Sequence, residues 1–332
     1  MPTIFDIAEK ANVSVMTVSR VMNNPDIVSE KTIRKVHQIM EDLGYQPSQI
    51  ARSLVKKKTN TIGVVMPDIK NTFFNSLFRI FEDYAISHHY NLLLCNTDED
   101  PDNELKYIKL FQSQRVDGIL ITPSSSKAVE YLQKSGLNFI AIDRRFEELE
   151  SDFVTADHFA GAVEATEYLI KLGHKKIAVL KGPGTLIPDI ERYAGFEQVM
   201  TENKLSINHE FIFDCGFDEV KAFNSIRSIL KKENRPTAIF SFNSLMMTGA
   251  IKAIREAGLK IPDDISLICF DEIAGYDIFQ PKITCVVQPI DKIGSESIKY
   301  LIEKIKNPET PTKKILLKSE LVIGESCRKI GD

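Results

Sequence analysis

From Thr61 onward, short apolar runs alternate with longer stretches in which apolar residues recur at helical spacing. Most runs are almost continuously apolar, which is typical of strands buried on both faces of a parallel sheet. The longer stretches, such as FFNSLFRIFEDYAISHHY, predict helices that connect one strand to the next. The clearest strand-like runs span residues 62–66, 91–95, 118–122, 139–143, 176–180, 238–242 and 266–270.

This alternation predicts an α/β fold. About ten strands are expected in all, which would be unusually many for one twisted sheet. We therefore predict two lobes, each a doubly wound sheet built from βαβ units. A chain of 332 residues, 43% of them hydrophobic, is long enough to bury two or more cores.

The first sixty residues show a different pattern, that of three short helices. The segment TIFDIAEKANVSVMTVSRVMNN predicts two helices joined by a tight turn. Thr3 and Asp6 have the spacing of a capping box at the start of the first helix. Ser14 is placed to cap the second helix and Ser29 the third, which Gly44 closes. Together these segments predict an all-α head with a helix-turn-helix.

The apolar face of the second helix contains Val18 and Val21, so the other residues near its start point outward. In a helix-turn-helix, such positions reach base edges in the major groove. The alternative is a small helical bundle without a partner. The residues of the head predicted to contact DNA are Thr3, Ser14, Val15, Met16, Thr17, Ser19, Arg20, Asn23 and Ser29.

The distribution of charge supports a DNA-binding head, although the net charge of the chain is −4. Residues 1–60 contain nine Lys and Arg against six Asp and Glu, whereas the remainder contains 33 against 40. Residues 43–60 contain Arg52 and three lysines but no acid. A basic segment on an acidic body is typical of an arm that contacts phosphates, and we expect Arg52 to bind DNA.

Ligands of open α/β sheets bind beyond the carboxyl ends of the strands. Polar residues at these positions would meet in one cleft if the two lobes face each other, and Phe73, Phe74 and Phe217 would flank them. Such a cleft suits a small polyhydroxylated or planar ligand. The strand-end residues are Asp68, Asn96, Asp98, Thr122, Asp143, Arg144, Asp157, Asn243, Asp271 and Gln288.

Signals for other classes of protein are weak. The first strand is followed by MPDIKNTFF rather than a glycine-rich dinucleotide loop, and neither a P-loop nor a Gly-x-Ser-x-Gly motif is found. We therefore do not expect an enzyme.

The five cysteines show no ligand spacing, and we interpret them as core thiols, with no metal or cofactor. The acidic residues at 98–102 predict a solvated loop with helix caps. No leader or membrane-length apolar run is evident, so we expect a cytoplasmic protein without membrane contact.

Several segments resemble the lactose-repressor/galactose-repressor (LacI/GalR) family of bacterial transcriptional regulators. TIFDIAEKANVSVMTVSRVMN is similar to the N-terminal signature of that family, and GYQPSQIARSLVKKKTNTIGVVMPD to its hinge. The likeness continues through VDGILI, LGHKKIAVL, RYAGF, RPTAIF, IPDDISLICFDE and VVQPI.

The resemblance implies a domain plan. Residues 1–46 would form the head and 47–60 a hinge helix and linker. Two lobes of periplasmic-binding-protein type would follow, with three chain crossings between them. The N-terminal lobe would take residues 61–160 with 290–318, and the C-terminal lobe 161–289 with 319–332.

The resemblance also implies roles for individual residues. Leu54 in the hinge matches a leucine that wedges into the minor groove at the operator centre, although packing against its own head is the alternative. Arg192 and Asp271 match residues that hold the effector, and Phe74 and Phe217 match ring-stacking or wall positions. A further pair, Asp143 and Arg144, resembles one that grips sugar hydroxyls.

The predicted function is a homodimeric regulator that binds a palindromic double-stranded operator and responds to a small metabolite. We expect it to act as a repressor. A sugar or sugar derivative is favoured. Ser244, where many sugar-responsive members have Asp, and the apolar Leu186 and Pro188 leave the effector's identity open. The alternatives are a nucleobase or phosphorylated metabolite acting as corepressor, or a sugar-binding protein without a regulatory role.

Overall fold

The structure is a computed structural model that describes residues 2–45, 58–146, 148–273 and 280–331. The chain divides into two compact units, Met1–Thr59 and Asn60–Asp332. We call them the head and the body.

The head contains three helices, α1 (Ile4–Ala11), α2 (Val15–Asn23) and α3 (Glu30–Asp42), with a 3₁₀ turn at Pro25–Ile27. The three predicted caps are confirmed. Thr3 and Asp6 form a reciprocal capping box, and the hydroxyls of Ser14 and Ser29 accept hydrogen bonds from the backbone of α2 and α3. The apolar faces of the helices share one small core formed by Ile7, Ala8, Ala11, Val18, Val21, Val36 and Met40.

The body contains two six-stranded sheets. The first has the strand order β11-β5-β4-β3-β1-β2, and every neighbouring pair is parallel. Its strands are β1 (Thr61–Met66), β2 (Asn91–Asn96), β3 (Gly118–Ile121), β4 (Phe139–Ile142), β5 (Phe153–Ala156) and β11 (Lys314–Leu317).

Helices cover both faces of the first sheet. Apolar residues of α4 (Thr72–Ser87) and α11 (Ile290–Lys306) form one core with the sheet, and those of α5 (Pro101–Ser113) and α6 (Ser126–Ser135) form another. Burial from both sides explains why β1, β3 and β4 are almost entirely apolar in sequence.

The second sheet has the order β12-β10-β9-β8-β6-β7 and is parallel except for the antiparallel pair β10 and β12. Its strands are β6 (Ile177–Lys181), β7 (Ile212–Asp214), β8 (Ala238–Ser241), β9 (Ser266–Phe270), β10 (Thr284–Val287) and β12 (Glu320–Val322). Its helices are α7 (His158–Lys171), α8 (Ile187–Glu202), α9 (Glu219–Ile229) and α10 (Ser244–Glu256).

The chain passes between the sheets three times. It leaves the first sheet after β5, returns after β10 through α11, and crosses again between β11 and β12. We call the part of the body around the first sheet lobe 1 and the part around the second sheet lobe 2. The two predicted doubly wound lobes are confirmed.

Candidate functional site

A cavity of about 290 Å³ lies where loops of both lobes meet. Lobe 1 contributes the loops after β1, β2 and β4, and lobe 2 contributes those after β6, β7, β8, β9 and β10. The carboxyl ends of the strands therefore face each other, as the rule for open α/β sheets requires. The lining residues include every one of those assigned to the effector from sequence, namely Phe73, Phe74, Asp143, Arg144, Arg192, Phe217, Asn243, Asp271 and Gln288.

Not every strand-end residue reaches this cavity. Asp68 and Asp98 line it, but Asn96, Thr122 and Asp157 do not. The side chain of Asn96 accepts a hydrogen bond from the backbone of Ile69, and that of Asp157 caps α7 by accepting one from Ala160. A polar residue at a strand end thus serves the fold as readily as the cavity.

On the lobe 1 side, Arg144 is held by a carboxylate that the sequence placed in a solvated loop. The two terminal nitrogens of its guanidinium donate to Glu99 at 2.6 and 2.7 Å, and the Arg144 side chain is only 4% exposed. The rest of the loop agrees with the prediction, since Asp100 caps α5 and the Glu99 side chain is still 37% exposed, but the pairing of Glu99 with Arg144 was not predicted. The guanidinium carbon lies 5.9 Å from the ring centroids of both Phe74 and Phe217.

On the lobe 2 side, Arg192 is buried and stacks on an aromatic ring. Its guanidinium carbon lies 3.8 Å from the ring centroid of Phe270. One terminal nitrogen donates to the carbonyl oxygen of Phe242, and the other lies 3.1 Å from Nδ1 of His158. Since arginine is always protonated, Nδ1 of His158 accepts this hydrogen bond and Nε2 carries the ring proton.

His158 joins the two lobes. Its Nε2 lies 3.4 Å from Oδ1 of Asp143 in lobe 1, without a well-aligned hydrogen bond, while Nδ1 faces Arg192 in lobe 2. Burial opposes ionisation of Asp143, but His158, Arg192 and Arg144 outweigh it and lower the pKa of this carboxyl. No sequence pattern singled out His158, which is the first residue of α7.

Asp271 lies at the end of β9 with a positive φ, and its Oδ1 accepts a hydrogen bond of 2.7 Å from Nε2 of Gln288. Burial raises the pKa of Asp271, against the effects of Arg192 and Gln288. Among the described residues, Nε of Arg192 and Oε1 of Gln288 are buried without a hydrogen-bond partner. Buried polar atoms rarely lack a partner, and these two belong to residues that line the cavity, which supports a ligand site there.

In the head, the structure separates the predicted DNA-contacting residues into two groups. Met16 (63% exposed) and Arg20 project from α2, so they are free to reach a partner. Val15 is half-buried against the core of the head, because the first turn of α2 packs back on it. Val15 therefore projects less than Met16 and Arg20, and its contact with DNA stays a prediction.

The polar residues of the head already make local hydrogen bonds. The hydroxyls of Ser14 and Thr17 lie 2.9 Å apart, and the side-chain amide of Asn23 donates to the carbonyl oxygen of Ser19. Thr3 and Ser29 are exposed caps. The predicted contacts of Arg52 and Leu54 lie outside the described residues.

Other kinds of site receive little support. The five cysteines all lie in the described ranges and none of them forms a disulfide bond, and Cys215, Cys269 and Cys285 are buried. Within the described ranges, no group of three or more His, Cys, Asp or Glu side chains is arranged to hold a metal ion. No helix in the same ranges has both the length and the apolar character to cross a membrane.

Comparison with known proteins assigns the family. Residues 59–324 match the family described as periplasmic binding proteins and sugar binding domain of LacI family, and residues 3–48 match bacterial regulatory proteins, lacI family. The chain belongs to the LacI family. Both parts of a LacI-family regulator, head and body, are thus present in one chain.

Similar members of the LacI family are named as regulators rather than as enzymes. The HTH-type transcriptional regulator DegA of Bacillus subtilis is 35% identical over 99% of both chains. The ribose operon repressor of Halalkalibacterium halodurans is 36% identical over 99% of this chain and 98% of its own length. The solved structure of a LacI family transcriptional regulator from Enterococcus faecium with bound ribose is 30% identical, with a TM-score of 0.74, over 82% of this chain and 100% of that one.

Proposed function

We propose that this protein is a sequence-specific transcriptional regulator, acting as a repressor, whose affinity for its operator is controlled by a sugar or sugar derivative bound between the two lobes. One observation carries the proposal. In a chain with a helix-turn-helix head, both lobes line a cavity, and several of its lining residues have buried polar atoms without partners. The ribose named with two relatives supports a sugar in that cavity.

The binding mode follows from the chemistry of the lining. We expect the carboxylate of Asp271 to accept hydrogen bonds from hydroxyls, beside the side-chain amide of Gln288 and the guanidinium of Arg192. Asp143 approaches the same space from lobe 1, and the rings of Phe74 and Phe217 form walls. A ligand held by both lobes favours one arrangement of the lobes over others. Effector binding can therefore change the affinity of the protein for its operator.

The proposal includes the assembly. A regulator of this class with one recognition helix per head reads a palindrome as a homodimer, because a two-fold site requires a two-fold protein. We propose that Met16 and Arg20 read the half-site and that Leu54 of the hinge wedges into the minor groove. The lobes would be functional units of residues 61–160 with 290–318 and 161–289 with 319–332. We also propose that the protein acts in the cytoplasm, where the chromosome of a bacterium lies.

The test combines ligand screening with DNA binding. An operator is first selected from random DNA with the full chain, and sugars and nucleobases are screened by thermal shift. Asp271→Asn is then compared with the parent protein by fluorescence anisotropy on that operator. Loss of an acceptor for buried hydroxyls should weaken effector binding by about 1–3 kcal/mol while operator binding persists. Asp214→Asn, at an exposed carboxylate of the same lobe, is the matched control.

The outcomes separate the alternatives. A protein that selects no DNA sequence but binds sugars would be a sugar-binding protein without a regulatory role. Binding of nucleobases in place of sugars would identify the cavity as a nucleobase site. A normal metabolite response in Asp271→Asn would place the effector outside the cavity.

A further inference from the structure

The cavity is rich in negative charge. Its lining contains six carboxylates, those of Asp68, Asp98, Glu99, Asp143, Asp218 and Asp271, against the three cationic groups of Lys70, Arg144 and Arg192. Burial favours the protonated form of Asp271 by raising its pKa, yet the other acids still outnumber the cations. An anionic ligand would therefore enter a field of its own sign.

The terminal nitrogens of both guanidinium groups already have partners inside the protein. Arginine binds phosphate or carboxylate through two parallel N–H groups. The two terminal nitrogens of Arg144 donate to the two oxygens of Glu99, which occupies that pair of donors. One terminal nitrogen of Arg192 donates to the Phe242 carbonyl and the other faces His158. Lys70 is exposed at the rim and supplies a single flexible ammonium.

The glycine-rich loop after β6 has backbone N–H groups that could bind an anion, but a carboxylate of the protein already accepts their hydrogen bonds. The backbone N–H groups of Gly182 and Gly184 donate to the two oxygens of Asp189, at 2.5 and 2.9 Å. Asp189 lies in the first turn of α8 and is 1% exposed. A phosphate could use these donors only by displacing a buried carboxylate.

The same pattern holds at other helix starts beside the cavity. The side chains of Asn71, Asp218 and Asn243 accept hydrogen bonds from the first turns of α4, α9 and α10. Helix N-termini are ready sites for anions when their N–H groups are free. Here each of these three starts is capped by a residue that itself lines the cavity.

We propose that the effector is an uncharged polyhydroxylated molecule and that phosphorylated or carboxylated forms of the same compound are rejected. This inference rests on the proposed function, since it specifies the effector of that same cavity. The available groups are mainly acceptors, namely the carboxylates and Oε1 of Gln288, and hydroxyl groups are the donors that match them. Ionic groups on the ligand would replace such donors with additional acceptors.

The experiment is isothermal titration of the full chain with matched pairs of compounds: ribose and ribose 5-phosphate, glucose and glucose 6-phosphate, galactose and galacturonate. For each pair whose neutral member binds, the charged member should bind at least about tenfold more weakly, because placing like charges together costs several kcal/mol. A charged member that binds as tightly as its neutral counterpart would overturn the inference and leave metabolite control standing.

A variant tests the origin of the discrimination. Glu99→Gln removes the carboxylate that engages Arg144. The ratio of the affinities of the neutral and charged members of a pair should therefore fall by about threefold or more. Glu202→Gln, which alters an exposed side chain of α8, should leave the ratio unchanged. Because the pairs are measured first on the parent protein, the inference stays testable even if Glu99→Gln does not fold. If only nucleobases bind, the proposed function fails, and this inference fails with it.

Discussion

Arg192 should be a strong contributor to the stability of the body as well as a ligand contact. Its guanidinium is buried beside two carboxyl groups, Asp143 and Asp271, and it stacks on Phe270. Arg192→Met keeps an apolar stem of similar length and removes the charge. Because the change leaves both carboxyls buried without this counter-charge, we expect the free energy of unfolding to fall by about 3–5 kcal/mol.

The matched control is Arg227→Met in the same lobe. Arg227 pairs with Glu256 at 3.8 Å, and the two side chains are 47% and 55% exposed, so solvent screens this ion pair. The expected loss is below about 1 kcal/mol. Urea unfolding followed by circular dichroism measures both variants, and midpoints are compared at equal protein concentration. Similar losses in the two variants would show that Arg192 is not a buried counter-charge, and the reasoning would be refuted.

The loss of unfolding free energy in Arg192→Met, which we call the deficit, should also depend on pH. In the parent protein the pKa of Asp143 is lowered, so its ionised form stabilises the fold at neutral pH and this contribution is lost as the pH falls through its folded pKa. Without Arg192 the pKa values of Asp143 and Asp271 both rise. Proton uptake then relieves the buried charges, and the deficit should be smaller at pH 5 than at pH 7.5. A deficit that grows toward pH 5 would contradict this assignment.

Two further predictions concern DNA recognition and communication between the lobes. Arg20→Ala should weaken binding to the selected operator by about 1–3 kcal/mol and to random DNA by less, as measured by fluorescence anisotropy. Equal losses on both DNAs would identify Arg20 as a phosphate contact. Arg145 of lobe 1 donates to Glu191 of lobe 2 at 2.5 Å, with both side chains about a fifth exposed. Arg145→Met and Glu191→Gln should each weaken effector binding by about three- to tenfold, and the double variant by little more than either, because one interaction is lost in all three. Additive losses in titration calorimetry would exclude a direct coupling.

The sequence was sufficient for elements whose burial is complete. The runs at Gly118–Ile121 and Ala238–Ser241 are buried at every position, so an uninterrupted apolar pattern identified these strands. The caps of the head were equally predictable, because a hydroxyl or carboxylate and its backbone partner lie three residues apart. Both features depend on short-range chemistry.

Three of the four edge strands were missed by the apolar pattern, whereas the fourth, β2, was identified from the run at 91–95. Ile212–Asp214 and Glu320–Val322 are three residues long, and Lys314–Leu317 alternates exposed and half-buried residues. Such segments are strands because a neighbouring strand supplies hydrogen bonds, not because their own residues require it.

The sequence by itself determined the alternation of strands and helices, the helix caps and most of the polar residues at the ends of the strands. Only the tertiary structure decided that the Glu99 loop turns back onto Arg144 and that His158 lies between Asp143 and Arg192. These contacts join residues 45, 15 and 34 positions apart, across loops and between lobes. Periodicity and capping act over one or two helical turns, whereas such contacts depend on three chain crossings that no local pattern specifies.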